Sequence, residues 1–287
     1  MTEAGVADQR QIAADAPQYN ASIARREDVH QSLIYVWVKF DGEPTPFVPG
    51  QYMTIGVFAD GKLVQRPYSV ASDPAAAGDT GYELYIRLVQ GGAFTPLLWR
   101  LPVGHRMRMI GPKGKFTLEA EDDRTHLFIS TGTGNAPFVS MMKSLLRQGA
   151  PRRAVFINGI SYVADLGYRD LLEGWASSGG YPLTYVPTVS RPNDPANAGW
   201  TGRTESVLPR ALAEFNLTPD NTVAYICGNP DMILAAEAHL HAAGFSEAQV
   251  KKELYWPKGK EPRSLGPAGV TVPASGRGTN TEHDSEE

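Results

Sequence analysis

The chain is 287 residues long and 42% apolar, with a formal net charge of −4 and a single cysteine, Cys227. This suits a soluble, globular protein of one large or two ordinary domains, at ~150 residues per domain. It argues against a generic nucleic-acid binder, which is basic overall. It also excludes a disulfide framework or an all-cysteine iron–sulfur cluster within the chain, so any electrons handled here need an organic carrier or a partner.

No apolar run approaches the ~20 residues that cross a bilayer, so no integral membrane segment is expected. Residues 1–17 carry Glu3, Asp8 and Asp15 without an apolar core. They read as a flexible lead rather than a secretory signal, with the cytoplasm as the expected location. From Tyr19 onward, strand-like runs at 19–26, 33–40, 53–58, 83–89 and 106–110 alternate with turns. Asp60-Gly61 is a hairpin signal, and residues 94–101 suit a short helix. The pattern predicts an antiparallel barrel or sandwich over residues 18–121.

Within it, Arg66-Pro67-Tyr68-Ser69 sets a cation, a fixed φ, a π face and a hydroxyl side by side. Pro67 cannot donate to a ladder, so an edge or a strand end is expected. In an extended segment Arg66 and Tyr68 share one face and Ser69 takes the other. Arg matches phosphate oxygens through two parallel bonds, Tyr offers a flat surface, and Ser both donates and accepts. The set suits a ligand with a pyrophosphate at one end and an aromatic heterocycle at the other; an edge strand with an ordinary surface Arg is the bland alternative. No acid lies between Glu83 and Glu119, whereas Arg87, Arg100, Arg106, Arg108, Lys113 and Lys115 do. Such a stretch suits phosphates and an acidic partner, or simply a solvated rim. Gly111-Pro112-Lys113-Gly114-Lys115-Phe116 adds a turn where backbone N–H groups can approach a phosphate.

After Asp122-Asp123 the pattern changes. Strands at 127–130, 154–158, 183–188 and 222–227 alternate with helices at 138–148, 166–175, 206–215 and 232–243. That predicts a parallel sheet wound with helices on both faces over 122–256. Ligands of such sheets bind beyond the carboxyl ends of the strands, which singles out Thr131–Pro137, Gly159-Ile160-Ser161, Ser190-Arg191 and Cys227-Gly228-Asn229. Thr131–Pro137 is not G-x-G-x-x-G, because Pro137 stands at the third glycine. Its two glycines before a helix still let a pyrophosphate reach backbone amides. Arg191 and Arg203 flank a loop rich in Pro, Asn and Gly. Two arginines at a strand end form a pocket for a doubly charged phosphate, whereas a ribose 2'-hydroxyl favours a carboxylate. The pair favours NADP over NAD, with scattered surface arginines as the alternative. Residues 257–287, rich in Pro, Gly and charge, predict a disordered tail.

The ordered motifs resemble those of the ferredoxin–NADP reductase family, most closely its bacterial ferredoxin/flavodoxin reductases, from Tyr19 to Trp256. Arg66–Ser69 looks like the family's R-x-Y-S motif, and Gly114-Lys115-Phe116-Thr117 falls at its second FAD segment. Thr131–Pro137 matches G-T-G-x-A-P, Cys227-Gly228-Asn229-Pro230 the C-G motif, and Glu253-Leu254-Tyr255-Trp256 the aromatic end. The resemblance implies a ferredoxin reductase-like fold, an antiparallel FAD-binding β-barrel followed by an α/β NADP-binding domain. It implies that Arg66 neutralises the FAD pyrophosphate, that Tyr68 lies against the isoalloxazine, and that Ser69 bonds near its N5. Pro67, Tyr85, Ile86, Arg87, Ala93, Phe94, Thr95 and Thr133 would complete the FAD site, with Tyr255 and Trp256 covering it. Gly134, Ser161, Ser190, Arg191 and Arg203 would hold NADP, with Gly228, Asn229 and Pro230 on the nicotinamide side. Cys227 would sit near the hydride path, where a buried structural cysteine is the alternative. Tyr68, Ser69 and Cys227 are thus the expected catalytic set.

Two departures stand out. Ser161 replaces an Arg carried by some bacterial relatives, which weakens the expected 2'-phosphate pocket. The chain also runs on to Glu287 past the aromatic end, which puts the openness of the nicotinamide site in question. The activity implied is hydride exchange between NADP(H) and FAD, coupled to single-electron exchange with ferredoxin or flavodoxin. These acidic carriers would dock on the basic 87–115 stretch of a monomer without metal or nucleic acid. A reductase component of an oxygenase system, a free-flavin or quinone reductase, and a non-catalytic nucleotide-binding module remain the alternatives.

Overall fold

The computed structural model describes residues 8–119, 122–191, 193–197 and 199–254. The first half holds β1 (Ala21–His30), β2 (Leu33–Phe40), β3 (Tyr52–Ala59), β4 (Lys62–Ser69), β5 (Tyr82–Arg87) and β6 (Arg106–Lys113). Two short helices, α1 (Ala77–Thr80) and α2 (Thr95–Trp99), lie between them. The strands form an antiparallel sheet in the order β4-β3-β6-β1-β2-β5. Its two outer strands meet where Val70 bridges Leu84 and the Ala71 N–H donates to the Glu83 carbonyl at 2.8 Å. The sheet thereby closes into a barrel. Period-two alternation fills it: Met53, Ile55, Val57 and Ala59 of β3 are all buried, as are Ile34, Val36 and Val38 of β2. Asp60 and Gly61 both take positive φ, at 49° and 73°, which gives the β3–β4 hairpin the twist of its strands.

Residues 8–17, expected as part of a flexible lead, lie along this barrel instead. Ile12 bridges Ala59, the Ala13 N–H donates to the Phe58 carbonyl at 3.0 Å, and Arg100 donates to the carbonyls of Asp8 and Arg10.

The second half holds β7 (Thr125–Thr131), β8 (Ala154–Ile160), β9 (Leu183–Val189), β10 (Trp200–Thr201), β11 (Thr222–Cys227) and β12 (Val250–Glu253). All pair parallel, in the order β10-β9-β8-β7-β11-β12. The helices are α3 (Ala136–Arg147), α4 (Arg169–Ser178), α5 (Thr204–Glu214) and α6 (Pro230–Ala242). The central strands are buried along almost their whole length because both faces are covered. Leu127, Ile129, Val155, Ile157 and Ile226 pack on Leu208 of α5 and Met232 of α6. Phe128, Phe156 and Tyr225 face the other way, onto Phe138 and Met142 of α3 and Leu172 of α4. Each such side chain contributes ~1.5–3 kcal/mol by leaving water. Helix α4 starts later than its sequence suggests, because Val163–Asp165 forms its own turn and Tyr168 takes a left-handed φ of 61°.

Two features of this layout position a site. The chain moves outward from β7 through β8 to β9, then crosses back to place β11 on the other side of β7. The resulting switch point opens a crevice at Thr131 and Cys227, the last residues of the two strands. The barrel is also locked onto the sheet through a polar seam. Lys143 of α3 donates to Glu83 at 2.8 Å and to the Ala71 carbonyl at 3.1 Å. The Tyr168 hydroxyl donates to the same Glu83 carboxylate at 2.6 Å, and the Ser140 hydroxyl to the Ser72 carbonyl at 2.6 Å. Both sides of the seam therefore grip the segment that follows Arg66–Ser69.

Candidate functional site

On the barrel side, β4 is an outer strand that pairs only with β3, as Pro67 requires. Arg66 lies opposite Ile55, Tyr68 opposite Met53 and Ser69 opposite Tyr52, so Arg66 and Tyr68 share a face and Ser69 takes the other. The exposed Arg66 guanidinium donates to the Gln65 carbonyl at 2.7 Å and has no carboxylate partner among the described residues. Tyr68 is half-buried beside Phe94, with ring centroids 6.1 Å apart, and burial pushes its phenol up. An unpaired cation, a neutral aromatic ring and a hydroxyl thus line one edge of the barrel, a donor set that fits an anionic dinucleotide with an aromatic ring.

The other residues expected around FAD divide. The Ile86 side chain is fully buried in the barrel core, and the Thr95 hydroxyl is spent between the N–H and carbonyl of Val89. The Ala93 carbonyl accepts from Arg10 at 2.7 Å. Tyr85 packs into the seam, with its hydroxyl donating to the Asp165 carbonyl at 3.3 Å. Phe116 leaves the barrel altogether and packs on Phe138 and Tyr225 of the second core. Gly114, with φ of 108°, turns the chain so that its carbonyl accepts from Gln51 at 3.3 Å. Lys115 and Thr117 border a cleft of about 380 Å³ against Val250–Leu254. Tyr255 and Trp256 lie outside the described residues.

At the junction, β12 carries a group that sequence reasoning missed. The Ser69 hydroxyl donates to the Glu253 carboxylate at 3.4 Å, across 184 positions of sequence. Glu253 pairs in register with Cys227, so a hydroxyl, a carboxylate and a thiol converge where the two sheets meet. Cys227 is 1% exposed, and burial together with the Glu253 carboxylate pushes its thiol well up. A thiol so placed stays protonated and is not a thiolate nucleophile. The sequence signal of Glu253 is its place at the head of the Glu253–Trp256 motif, whose recognisable feature is the aromatic pair. Gly134 sits so close under Cys227 and Gly228 that a side chain there would strike the Cys227 carbonyl. A Cβ on Gly228, at φ of 142°, would strike Thr131. These glycines let the two strand ends approach each other. Thr133 accepts the Ala136 N–H through its carbonyl and so shapes the turn into α3.

Beyond the strand ends opens a cavity of about 310 Å³. Ser161, Ser190, Arg191, Arg203 and Asn229 line it, as the sequence predicts, and so does Thr131. Asn229 also caps α6, its side-chain oxygen accepting from the Asp231 and Met232 N–H groups, with Pro230 at the first helical position. Two lining residues were not anticipated here. Arg87, expected at the FAD, reaches this cavity from the end of β5 and pairs with Asp165 at 3.2 Å. Glu205 places a carboxylate beside Arg203, at 2.8 Å. The three guanidinium groups fit a phosphate-bearing ligand.

The cations of residues 87–115 do not make one face. Arg87 turns to the cavity, Arg100 holds the lead, and Arg106 pairs with Asp41 at 2.6 Å and Asp15 at 3.6 Å. Lys113 and Lys115 stay exposed next to the Ser69 edge, since Tyr52 pairs with both Lys113 and Ser69. No helix among the described residues is long and apolar enough to cross a membrane.

Residues 21–118 match the family model for an oxidoreductase FAD-binding domain, and residues 128–238 that for an oxidoreductase NAD-binding domain. The chain is 34% identical over 219 residues to ferredoxin–NADP reductase B of Sorangium cellulosum, covering 75% of this chain and 88% of that one. It is 30% identical over 240 residues to the reductase component of a Pseudomonas phenol 2-monooxygenase, covering 83% of this chain. This chain spans 65% of that relative's length, just under two thirds. Among solved structures, a ferredoxin NADP+ reductase from Neisseria gonorrhoeae with bound FAD and NADP shares the fold. The TM-score is 0.72 at 23% identity, over 83% of this chain and 99% of that one.

Proposed function

Since the chain belongs to the ferredoxin–NADP reductase family and is an FAD- and NAD(P)-binding oxidoreductase, we propose that it exchanges hydride with NADP(H) and single electrons with a ferredoxin or flavodoxin. The observation that carries this reading is the convergence of Ser69, Glu253 and Cys227 between a phosphate-ready barrel edge and a cationic cavity. FAD, when bound, supplies the conversion between two-electron and one-electron chemistry.

The chain's own residues bind, orient and handle protons. Arg66 neutralises pyrophosphate charge, and Tyr68 and Ser69 present a flat surface and a hydroxyl to the flavin edge. Glu253 orients the Ser69 hydroxyl and gives it a path for proton exchange with solvent. Cys227, held neutral and small, limits the approach of the nicotinamide without competing as a nucleophile. Gly134 and Gly228 keep that approach open. Arg191 and Arg203 hold the adenosine phosphate end, so that binding energy far from the reacting atoms is spent on orientation. Lys113 and Lys115, beside the Ser69 edge, are the docking cations for an acidic carrier.

Similarity to the phenol 2-monooxygenase reductase component supports a second reading, in which the electrons go to an oxygenase partner. Steady-state turnover with NADPH against ferredoxin, flavodoxin, a phenol hydroxylase oxygenase component, free flavin and a quinone separates the two. The first reading expects ferredoxin or flavodoxin to be reduced fastest, with a rate that falls as salt screens Lys113 and Lys115 over a Debye length of ~10 Å at 0.1 M. Faster, salt-independent turnover with free flavin or quinone would displace it.

A further inference from the structure

The arginines of the nucleotide cavity are not equivalent. Arg191 is exposed and has no carboxylate partner among the described residues. Arg87 is tied to Asp165 at 3.2 Å. Arg203, 69% exposed at its side chain, is tied to Glu205 at 2.8 Å, and the Glu205 carboxylate is only 17% exposed. That carboxylate lines the cavity together with Ser161, Ser190 and both arginines of the strand-end loops. It stands in the first turn of α5, where the helix dipole favours a negative charge. Arg203 is the residue that caps the same helix, its carbonyl accepting from the N–H groups of Ser206 and Val207. The cation and the anion are therefore held two positions apart on one rigid element.

We infer that Glu205 sets the nucleotide choice of this cavity, by holding Arg203 in a carboxylate pair that a ribose 2'-phosphate must break and a 2'-hydroxyl need not. The inference rests on the reading of the cavity as the nucleotide site. A 2'-hydroxyl is a donor and gains from a carboxylate neighbour. A 2'-phosphate carries about −1.5 to −2 charges and accepts only, so it must compete with Glu205 for the Arg203 guanidinium. Two arginines alone would select NADP. With a carboxylate paired to one of them, the cavity admits NADH as well as NADPH.

The test uses adenosine 2',5'-bisphosphate and 5'-AMP, which differ only in the 2'-phosphate, titrated by calorimetry into the full-length FAD-loaded protein. Glu205→Gln keeps shape and removes charge, and Glu205→Ala guards against a new contact from the amide. Flavin absorbance and circular dichroism check the fold of each variant. The expected result is about tenfold tighter binding of the bisphosphate to both variants, with 5'-AMP unchanged or weaker. In an Arg203→Ala background the same Glu205→Gln change should lose most of that gain, because the carboxylate acts through the guanidinium. A bisphosphate-to-AMP affinity ratio that stays within about twofold of wild type, with both ligands still binding, overturns the inference and leaves the nucleotide site standing. Failure of the wild-type protein to bind either ligand while it retains FAD removes the site itself, and the inference with it.

Discussion

The seam between the two sheets and the nucleotide cavity are built from the same kinds of side chain. At the seam, Glu83 meets Lys143 at 2.8 Å and Tyr168 at 2.6 Å, and the two charged side chains are only 10% and 23% exposed. At the cavity, Arg191 and Arg203 are exposed, and of the two only Arg203 has a carboxylate partner among the described residues. Charge that is saturated by protein partners and buried holds domains together. Charge left facing an open cavity beyond the strand ends is available to a ligand. Partnering and exposure, rather than residue type, separate the structural from the functional.

The seam should therefore break hard and the cavity softly. Lys143→Ala leaves the Glu83 carboxylate buried without its cation, and about 3–5 kcal/mol of stability should be lost in urea unfolding. Tyr168→Phe removes one hydrogen bond to that carboxylate and should cost about 1.5–3 kcal/mol.

His126 gives a contrast of another kind. It is fully buried against Phe128 and Tyr225, and neither ring nitrogen has a hydrogen-bond partner among the described residues. Burial, reinforced by Arg152, pushes its pKa down from 6.5 to about 4. Below pH 6.5 the unfolded chain takes up a proton at this ring that the folded chain refuses, so stability falls as pH drops toward 4. The loss should be of order 3 kcal/mol in wild type. His126→Leu should flatten that part of the stability–pH curve and raise the melting temperature at pH 5. An unchanged slope would show that other groups govern acid stability.

At the cavity, Arg191→Ala should change stability by no more than about 0.5 kcal/mol, because its exposed side chain has no carboxylate partner among the described residues. It should nevertheless weaken binding of adenosine 2',5'-bisphosphate by about 1.5–3 kcal/mol and leave 5'-AMP nearly untouched. Loss of folded protein in this variant would place Arg191 with the seam instead.

The same contrast explains what the sequence made legible. The parallel sheet, its strand ends and the residues just beyond them follow from local signals: apolar runs, glycine turns and the alternation of strands with helices. Ser161, Ser190, Arg191 and Arg203, singled out on that basis, line one cavity. The Arg66–Ser69 strand was legible for the same reason, Pro67 marking it as an outer strand. Groups that act only through distant partners were not. Glu83, Lys143 and Tyr168 meet across stretches of chain no local pattern connects, and Glu253 reaches Ser69 only because β12 adds to the sheet beside β11. No local pattern singles out Glu205, an acidic residue in the first turn of α5, and only the cavity reveals what it faces. Arg87 is expected at the flavin only from the family resemblance, whereas its side chain, at the end of β5, pairs with Asp165 and lines the cavity of the second sheet.

The two halves are proposed to hold FAD where a reduced nicotinamide nucleotide can deliver hydride to it. Anaerobic stopped-flow bleaching of the purified, FAD-loaded protein tests it most directly, with NADPH and NADH each in excess. Complete bleaching by both nucleotides, slowed at least ~100-fold in Ser69→Ala protein that retains its FAD, is the predicted result. A protein that does not retain FAD, or a bound flavin that neither nucleotide reduces, would contradict it.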